Sequence, residues 1–261
     1  MDRNIALVLA YDGTDFSGWE RQEGRRTVQG AVEAALETLH KKPVPVIGAG
    51  RTDAGVHAAG QAASFHTGIA GMDAARFVPA LNSLLPRDIR VLSAREVPAA
   101  FHARYDAKSR TYRYHFVCGR QALPWELRYA WRLNRRPRIA LLNDYARLLR
   151  GEIDSTAFTA AGDRSLSRRR WFFGASFFVQ GDVLVFEITA NAFLWKMVRT
   201  IVGTLLQFEE KDAAPEALSA LLQKGDRALA GPAAPAQGLF LWKVDYFRTG
   251  LLDSIPPPKS K

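Results

Sequence analysis

Two hydrophobic periods alternate along the first hundred residues. Apolar residues occupy every second position from Ile5 to Tyr11, which is the period of a strand. From Thr27, a typical N-cap, apolar residues recur every three to four positions through Leu39, which is the period of an amphipathic helix. The pattern further predicts a strand at 44–47, a loop at 48–55, a strand at 60–67, a helix after Asp73 that stops at Pro86, and a strand at 89–92.

The second half of the chain repeats this mixture. Two apolar runs, at 171–179 and 183–190, flank Gln180-Gly181-Asp182, which is a hairpin signature. The remaining pattern predicts strands at 108–117 and 238–247, and helices at 141–150, 193–208 and 215–223, the first of them closed by Gly151. The hairpin and the short connections do not fit successive parallel βαβ units, so the predicted fold is α+β with antiparallel sheet.

The chain is expected to form two halves. The predicted N-terminal α/β subdomain covers residues 1–105 and contains the loop at 48–55, and the predicted C-terminal α/β subdomain covers 106–248. The last residues, 249–261, include three consecutive prolines and are expected to be a disordered tail.

The net charge of the chain indicates which class of molecule it could bind. The 261 residues include 36 Lys and Arg against 26 Asp and Glu, a net charge of +10, and 27 of the cations are arginines. Guanidinium groups pair with phosphate and stack on bases, so this excess suits a polyanion; a basic enzyme with scattered surface charge is the alternative. Ten cations against two acids between Phe101 and Arg138 concentrate the excess in one stretch.

Several classes of site and location are excluded or disfavoured. The single Cys118 cannot form an intramolecular disulfide or a multi-cysteine zinc site, and His57 and His66 lack further ligands at metal-binding spacing. No apolar run approaches the roughly 18 residues of a membrane span, and the N-terminus does not resemble a signal peptide. We therefore expect a cytoplasmic protein without metal.

The sharpest candidate for chemistry is the loop GAGRTDAGVH at 48–57. Its three glycines permit close backbone approach to a ligand, and Arg51 and Asp53 flank one residue, so both can address one cavity. A guanidinium neighbour favours an ionised carboxylate, which is what a covalent nucleophile requires. The alternative is a structural turn in which Asp53 caps backbone amides and Arg51 forms a simple salt bridge.

Three further segments could bind a polyanion. On the strand at 108–115, Tyr112 shares one face with Arg110 and Tyr114, a pattern that can stack bases and pair phosphates; tyrosines in a half-buried strand are the alternative. Arg168-Arg169-Arg170 precedes a strand and suits a phosphate rim or a solvated edge. Arg199 lies in an otherwise apolar helix and requires a partner or a water-filled cleft.

Together these segments resemble the tRNA pseudouridine synthase A family. The most specific match is GRTDAGVH at 50–57, and the resemblance covers most of the chain. The other matches follow in the family's order: YDGT at 11–14, GWERQ at 18–22, FHAR at 101–104, YRY at 112–114, NAF at 191–193, MVR at 197–199 and GLFL at 238–241.

The resemblance implies a pseudouridine synthase-like fold, with two α/β subdomains around an extended antiparallel sheet and a central basic cleft. It implies a homodimer that holds one tRNA and converts uridine to pseudouridine at positions 38, 39 and 40 of the anticodon arm, without cofactor or metal. Asp53 would be the nucleophile, and Arg51 would orient it and help to splay the target base. Tyr112 would stack on the uracil and help to remove the C5 proton. Arg199 would pair with Asp53 or phosphate, and Leu239 would line the pocket.

Two segments depart from the family's pattern. Leu194-Trp195-Lys196 stands where related sequences commonly have a His-containing pair, and residues 163–170 lack an expected Cys-containing stretch. Both lie at the expected RNA surface, so they concern tRNA contacts and the choice of position rather than the chemistry of residues 50–57.

Two other functions stay open from the residues alone. An RNA-binding module would use the same basic aromatic strand with Asp53 as a turn residue, and the intact Arg51-Thr52-Asp53 argues against it. A glycoside hydrolase needs paired acids, and no second acid stands near Asp53 in a comparable loop.

Overall fold

The computed structural model describes residues 2–163 and 165–246, which form two compact units. The first unit comprises residues 2–108 together with 241–246, and the second comprises the described residues from 109 to 240. The division falls three residues after the expected boundary at 105, and residues 241–246, expected in the second half, lie in the first unit. The expected disordered tail at 249–261 lies outside the described residues.

The first unit is built on an antiparallel sheet with β1 between two partners. Ile5 in β1 pairs with Phe65 on one side and with Glu96 on the other. The residues of β1 from Asn4 to Val8 are almost wholly buried. The strands are β1 (Arg3–Tyr11), β2 (Ile47–Gly48), β3 (His57–Thr67) and β4 (Ile89–Val97).

Two helices pack in the first unit, α1 (Val28–His40) and α2 (Phe77–Leu84). The predicted N-cap is confirmed, since the Thr27 hydroxyl accepts a hydrogen bond from the Gly30 N–H at 3.3 Å. His40 at the end of α1 stacks on Phe77 of α2, and Phe77 packs edge-to-face against Phe65 of β3 at 5.3 Å. These rings join both helices to the sheet.

The predicted strand at 44–47 is wrong for most of its length. Only Ile47 and Gly48 pair with β3. Pro43 and Pro45 have no N–H to donate to a sheet, and the Val46 N–H donates instead to the Glu33 carboxylate at 3.1 Å. The apolar pattern arises because Val44 and Val46 are buried in an irregular segment.

The second unit contains the predicted hairpin. Strands β8 and β9 are antiparallel and joined at Gln180 and Val183, with Gly181 in the left-handed region at φ +59°. β5 and β7 add antiparallel strands, whereas β6 pairs in parallel with β5. The strands are β5 (Ser109–Cys118), β6 (Trp131–Leu133), β7 (Gly151–Asp154), β8 (Arg169–Gln180), β9 (Val183–Ala190) and β10 (Leu239–Asp245), which continues into the first unit.

Three helices complete the second unit, and the α+β prediction is confirmed. They are α3 (Ile139–Leu148), α4 (Met197–Glu210) and α5 (Glu216–Lys224). Several predicted boundaries are wrong. The strand predicted at 89–92 continues to Val97, and the strand predicted at 60–67 starts at His57. Gly151 does not close α3 but opens β7 at φ +87°, and α4 starts four residues late because Lys196 is left-handed at φ +58°. Among the described residues, no helix is long and apolar enough to cross a membrane.

A buried carboxylate fixes the segment before α3 to α4. Glu209 on α4 is 1% exposed and pairs with Arg135 and Arg138, and its Oε1 also accepts the Arg138 backbone N–H at 3.0 Å. Burial alone would raise the pKa of Glu209, but these hydrogen bonds outweigh it and lower the pKa to about 2.

We expect Glu209→Gln to lower the free energy of unfolding by about 2 kcal/mol at pH 7, because it removes charge-assisted hydrogen bonds from a buried site. The folded pKa lies below the unfolded one, so the contribution is complete above about pH 4.5 and is lost as pH falls towards 2. Denaturant unfolding at several pH values measures this, with the exposed neighbour variant Glu210→Gln as control. An equal gap between wild type and Glu209→Gln at pH 7 and pH 2.5 would contradict it.

Candidate active site

The loop at 49–56 is fixed to β3 by one buried amide. Gln61 Nε2 donates to the Gly50 carbonyl at 2.7 Å, and its Oε1 accepts the Gly50 N–H at 3.3 Å. The Ala49 N–H donates to the Ala62 carbonyl at 2.8 Å. The loop therefore leaves the sheet with its backbone satisfied on both sides of Gly50.

Thr52 anchors the middle of the loop in the interior. Its hydroxyl lies 2.8 Å from the Tyr11 hydroxyl, and its carbonyl accepts the Trp19 N–H at 3.1 Å. Tyr11 ends β1, and its burial raises the pKa of the phenol well above the ordinary value. The phenol is therefore neutral at physiological pH, and its hydroxyl holds Thr52, the residue that precedes Asp53 in the loop.

Two glycines allow the loop to lie directly against the turn after β1. A Cβ at Gly13 would stand 2.0 Å from the Val56 carbonyl oxygen, and one at Gly18 would stand 2.5 Å from the Thr52 carbonyl oxygen. Gly18 also has φ +93°, which side chains rarely adopt. Neither position can carry another residue without moving the loop.

Asp53 is partly exposed at the turn of this loop, next to the buried Thr52. Its carbonyl accepts the Val56 N–H at 3.1 Å. Arg51, expected to orient Asp53, forms an ion pair with Glu20 at 2.8 Å, and both partners are exposed. An exposed ion pair contributes little free energy, so Arg51 can exchange Glu20 for a phosphate at low cost.

His57, which follows the loop, is a structural group. It is fully buried, and its Nδ1 accepts the Gly13 N–H at 3.0 Å and lies 3.2 Å from the Asp12 carboxylate. His66 is half-exposed, 3.2 Å from Asp2. Within 2–163 and 165–246, no three His, Cys, Asp or Glu side chains cluster as metal ligands.

Tyr112 lies in the second unit, in the middle of β5. It is 6% exposed, and Phe193 packs edge-to-face against its ring with centroids 5.0 Å apart. Phe193 in turn packs edge-to-face against Phe172 of β8. Neighbouring rings therefore fix the plane of Tyr112.

Arg199 and Leu239 are connected through one segment of the second unit. Arg199 Nε donates to the Ala234 carbonyl at 2.7 Å, and the Ala234 N–H donates back to the Arg199 carbonyl at 2.9 Å. The next carbonyl, of Pro235, accepts the Tyr114 hydroxyl at 2.7 Å. Arg199 thus holds the segment that leads to the buried Leu239 at the start of β10.

Many basic residues of the second unit already have partners within it. At least four of the ten cations between Phe101 and Arg138 form ion pairs there, on Glu187, Glu126 and Glu209. In the later run, Arg168 and Arg169 are exposed, Arg169 pairs with Glu152 at 2.9 Å, and Arg170 donates to backbone carbonyls. Arg169 and Arg170 belong to β8 itself rather than preceding it.

The comparisons with known proteins decide the family. A family model described as tRNA pseudouridine synthase matches residues 7–106 and 145–247. The chain belongs to the tRNA pseudouridine synthase family. It is 52% identical to the tRNA pseudouridine synthase A of Treponema denticola over 249 residues, 94% of this chain and 93% of the relative.

Two further relatives carry the same name. Identity is 50% over 235 residues with the protein of Treponema pallidum (strain Nichols), covering 88% of this chain and 84% of the relative. It is 41% over 257 residues with that of Geobacillus kaustophilus, covering 98% and 99%. The family isomerises uridine to pseudouridine in tRNA, so the resemblance drawn from the motifs is confirmed and the protein is an isomerase.

The family model covers some candidate site residues of this pseudouridine synthase and leaves others outside. Asp53, Arg199 and Leu239 lie inside the matched ranges, whereas Tyr112 lies in the unmatched stretch 107–144. Sequence reasoning missed the groups that hold the loop, above all Tyr11 and Gln61. Two signals pointed to Tyr11 without giving it a role: its place at the end of a strand before the Asp12-Gly13 turn, and its position in the YDGT match at 11–14.

We expect Tyr11→Phe to slow pseudouridine formation at saturating tRNA severalfold while changing tRNA affinity less than twofold. The change removes the hydroxyl that meets Thr52 and frees the loop, at about 1 kcal/mol of stability. Single-turnover rates and filter binding measure the two effects. The control is Tyr246→Phe, which removes a hydroxyl bound to the Ala103 carbonyl in the same unit. Equal rates in both variants would show that Tyr11 does not position the loop.

Proposed function

We propose that this synthase isomerises uridine at positions 38, 39 and 40 of the tRNA anticodon arm, with Asp53 as the nucleophile. The surroundings of Asp53 support the proposal best. Asp53 is partly exposed, whereas the preceding residue of the loop, Thr52, is buried and hydrogen-bonded to Tyr11 and Trp19. A reacting group held by rigid backbone is preorganised for attack.

The reaction needs only groups that the chain supplies. The N1–C1′ bond breaks, the uracil turns, a C5–C1′ bond forms, and C5 loses a proton as N1 gains one. No atom or electron is added overall, so no cofactor is required. Asp53 can attack C1′ or C6, or take part in a glycal-forming route. The target must leave the stacked arm, at a cost of a few kcal/mol.

The second unit supplies the proposed contacts to the base. The Tyr112 ring, held edge-on by Phe193, offers a face to the uracil, and its hydroxyl helps to remove the C5 proton. Arg199 binds Asp53 or a phosphate, and Leu239 lines the pocket. Arg51 exchanges Glu20 for the RNA and helps to splay the base from the arm.

The rest of the proposal concerns the oligomeric state of the protein and how it binds the phosphates of the tRNA. The resemblance supports a homodimer that holds one tRNA, and the single Cys118 fits a reducing compartment such as the cytoplasm. The net charge of +10 and the exposed Arg168 and Arg169 support a phosphate grip on the tRNA. Each released counterion contributes to affinity, so this grip offsets part of the cost of extracting the base.

Asp53→Asn is expected to abolish pseudouridine formation while tRNA binding persists, because an amide preserves the shape but cannot act as an anionic nucleophile. Unmodified tRNA transcripts, chemical modification and primer extension report both turnover and the modified positions. Asp73→Asn, an exposed acid of the same unit, is the control. Substantial turnover by Asp53→Asn would remove Asp53 from its role, and pseudouridine outside 38–40 would overturn the proposed positions.

For Tyr112, the phenyl and hydroxyl contributions can be separated. Tyr112→Phe preserves the stacking face, and we expect single-turnover rates to fall at least tenfold with affinity nearly unchanged, because proton removal from C5 loses its helper. Tyr112→Leu should lose affinity as well. Tyr105→Phe, at a tyrosine that is 76% exposed, is the control. A rate for Tyr112→Phe near that of wild type would limit Tyr112 to stacking.

A further inference from the structure

Trp195 is a large apolar side chain held in an exposed position. It is 47% exposed, immediately before α4. The backbone N–H of Trp195 donates to the Asp163 carboxylate at 2.9 Å, and the backbone carbonyl of Trp195 accepts the Ala160 N–H at 3.3 Å. Burial alone would raise the pKa of Asp163, but N–H groups from Trp195 and Ser165 outweigh it and lower the pKa, which keeps the acceptor anionic. The backbone under the indole is thus fixed on both sides.

A cation accompanies the exposed ring. Lys196 Nζ lies 4.8 Å from the Trp195 ring centroid, within cation–π distance. Lys196 adopts φ +58°, which costs free energy for a residue other than glycine and is typical of functional positions. A Cβ at Gly162 would stand 3.8 Å from the indole, so the backbone of this turn lies beside one edge of the ring. The strained turn therefore presents an indole and an ammonium together.

The contacts of this pair connect two proposed RNA-binding groups. Phe193, two residues before Trp195, packs on the Tyr112 ring. On the other side, the Asp163 carboxylate that accepts the Trp195 N–H interacts electrostatically with Arg170. Trp195 therefore belongs to a continuous set of residues that runs from Tyr112 to the Arg168–Arg170 run, all within the second unit.

We propose that Trp195, with Lys196 beside it, is a stacking platform for an unpaired base of the tRNA near the target uridine. The inference rests on the proposed function. An indole face stacks on any base, and a neighbouring ammonium pairs with the phosphate of the same nucleotide. The basic surroundings favour a polyanion over an apolar protein surface, which would not call for Lys196 on the ring and Arg170 near Asp163.

The test compares Trp195→Ala and Trp195→Phe with Trp125→Ala, which removes a 66% exposed indole elsewhere in the second unit. We expect Trp195→Ala to weaken binding of an anticodon stem-loop RNA about 5- to 100-fold. Trp195→Phe should remain within about threefold of wild type, and Trp125→Ala within twofold. Unfolding curves check that each variant folds. A loss below twofold for Trp195→Ala, or an equal loss for Trp125→Ala, would overturn the proposal.

Salt dependence separates stacking from phosphate pairing. Trp195→Ala should weaken binding at every salt concentration without changing the slope of log affinity against log salt, whereas alanines at Arg168, Arg169 and Arg170 should flatten that slope by up to roughly three contacts. A changed slope for Trp195→Ala would overturn a stacking role.

Abasic stem-loops identify the base. Each RNA in this set lacks one unpaired base. On one of them, the loss of affinity caused by Trp195→Ala should be at least threefold smaller than on the intact stem-loop, as in a double-mutant cycle. An equal effect on all abasic RNAs would overturn the proposal. Pseudouridine formation by wild type on the intact, unmodified tRNA keeps the two proposals apart: its absence defeats the proposed function, and its presence with unchanged Trp195→Ala binding defeats only this inference.

Discussion

The loop that contains Asp53 can pack against the turn after β1 only because Gly13 and Gly18 have no side chains. The loop passes so close to this turn that a Cβ at either glycine would overlap carbonyl oxygens of the loop. Contact at this distance lets Thr52 reach the buried Tyr11 hydroxyl and lets Trp19 bond the loop backbone. Asp53, the proposed nucleophile, needs little support of its own, because the preceding Thr52 is bonded to Tyr11 and Trp19.

Arginine has two different uses in this chain. Arg135 and Arg138 are about half exposed and neutralise the buried carboxylate of Glu209, which fixes the segment before α3 to α4. Arg51 and Arg169 form ion pairs with exposed acids, and such pairs exchange partners at little cost. A net positive charge alone therefore overstates the number of cations available to a polyanion, because several arginines are already paired within the protein.

Local signals predicted local structure. The cap at Thr27 and the turn at Gly181 act over a few residues, so the helix and the hairpin that they define were predictable, as was the segment around Asp53. The apolar pattern at 44–47 gave a wrong prediction of a strand. Val44 and Val46 are buried there without forming one, because the prolines lack the backbone N–H groups that a sheet needs. The partner of Arg51 was also beyond prediction, since Glu20 lies 31 residues away in the chain and proximity of that kind is decided by tertiary packing.

The first unit is discontinuous in the chain, and this affects the order in which it can form during translation. The Lys108 N–H donates to the Asp245 carbonyl at 2.8 Å, and a Cβ at Gly60 of β3 would stand 2.5 Å from the Trp242 carbonyl oxygen. The ribosome must therefore make all of residues 109–240 before the strand beside β3 emerges. Until then the nascent chain exposes an unpaired sheet edge next to the loop of Asp53, which is the kind of surface that chaperones protect from aggregation.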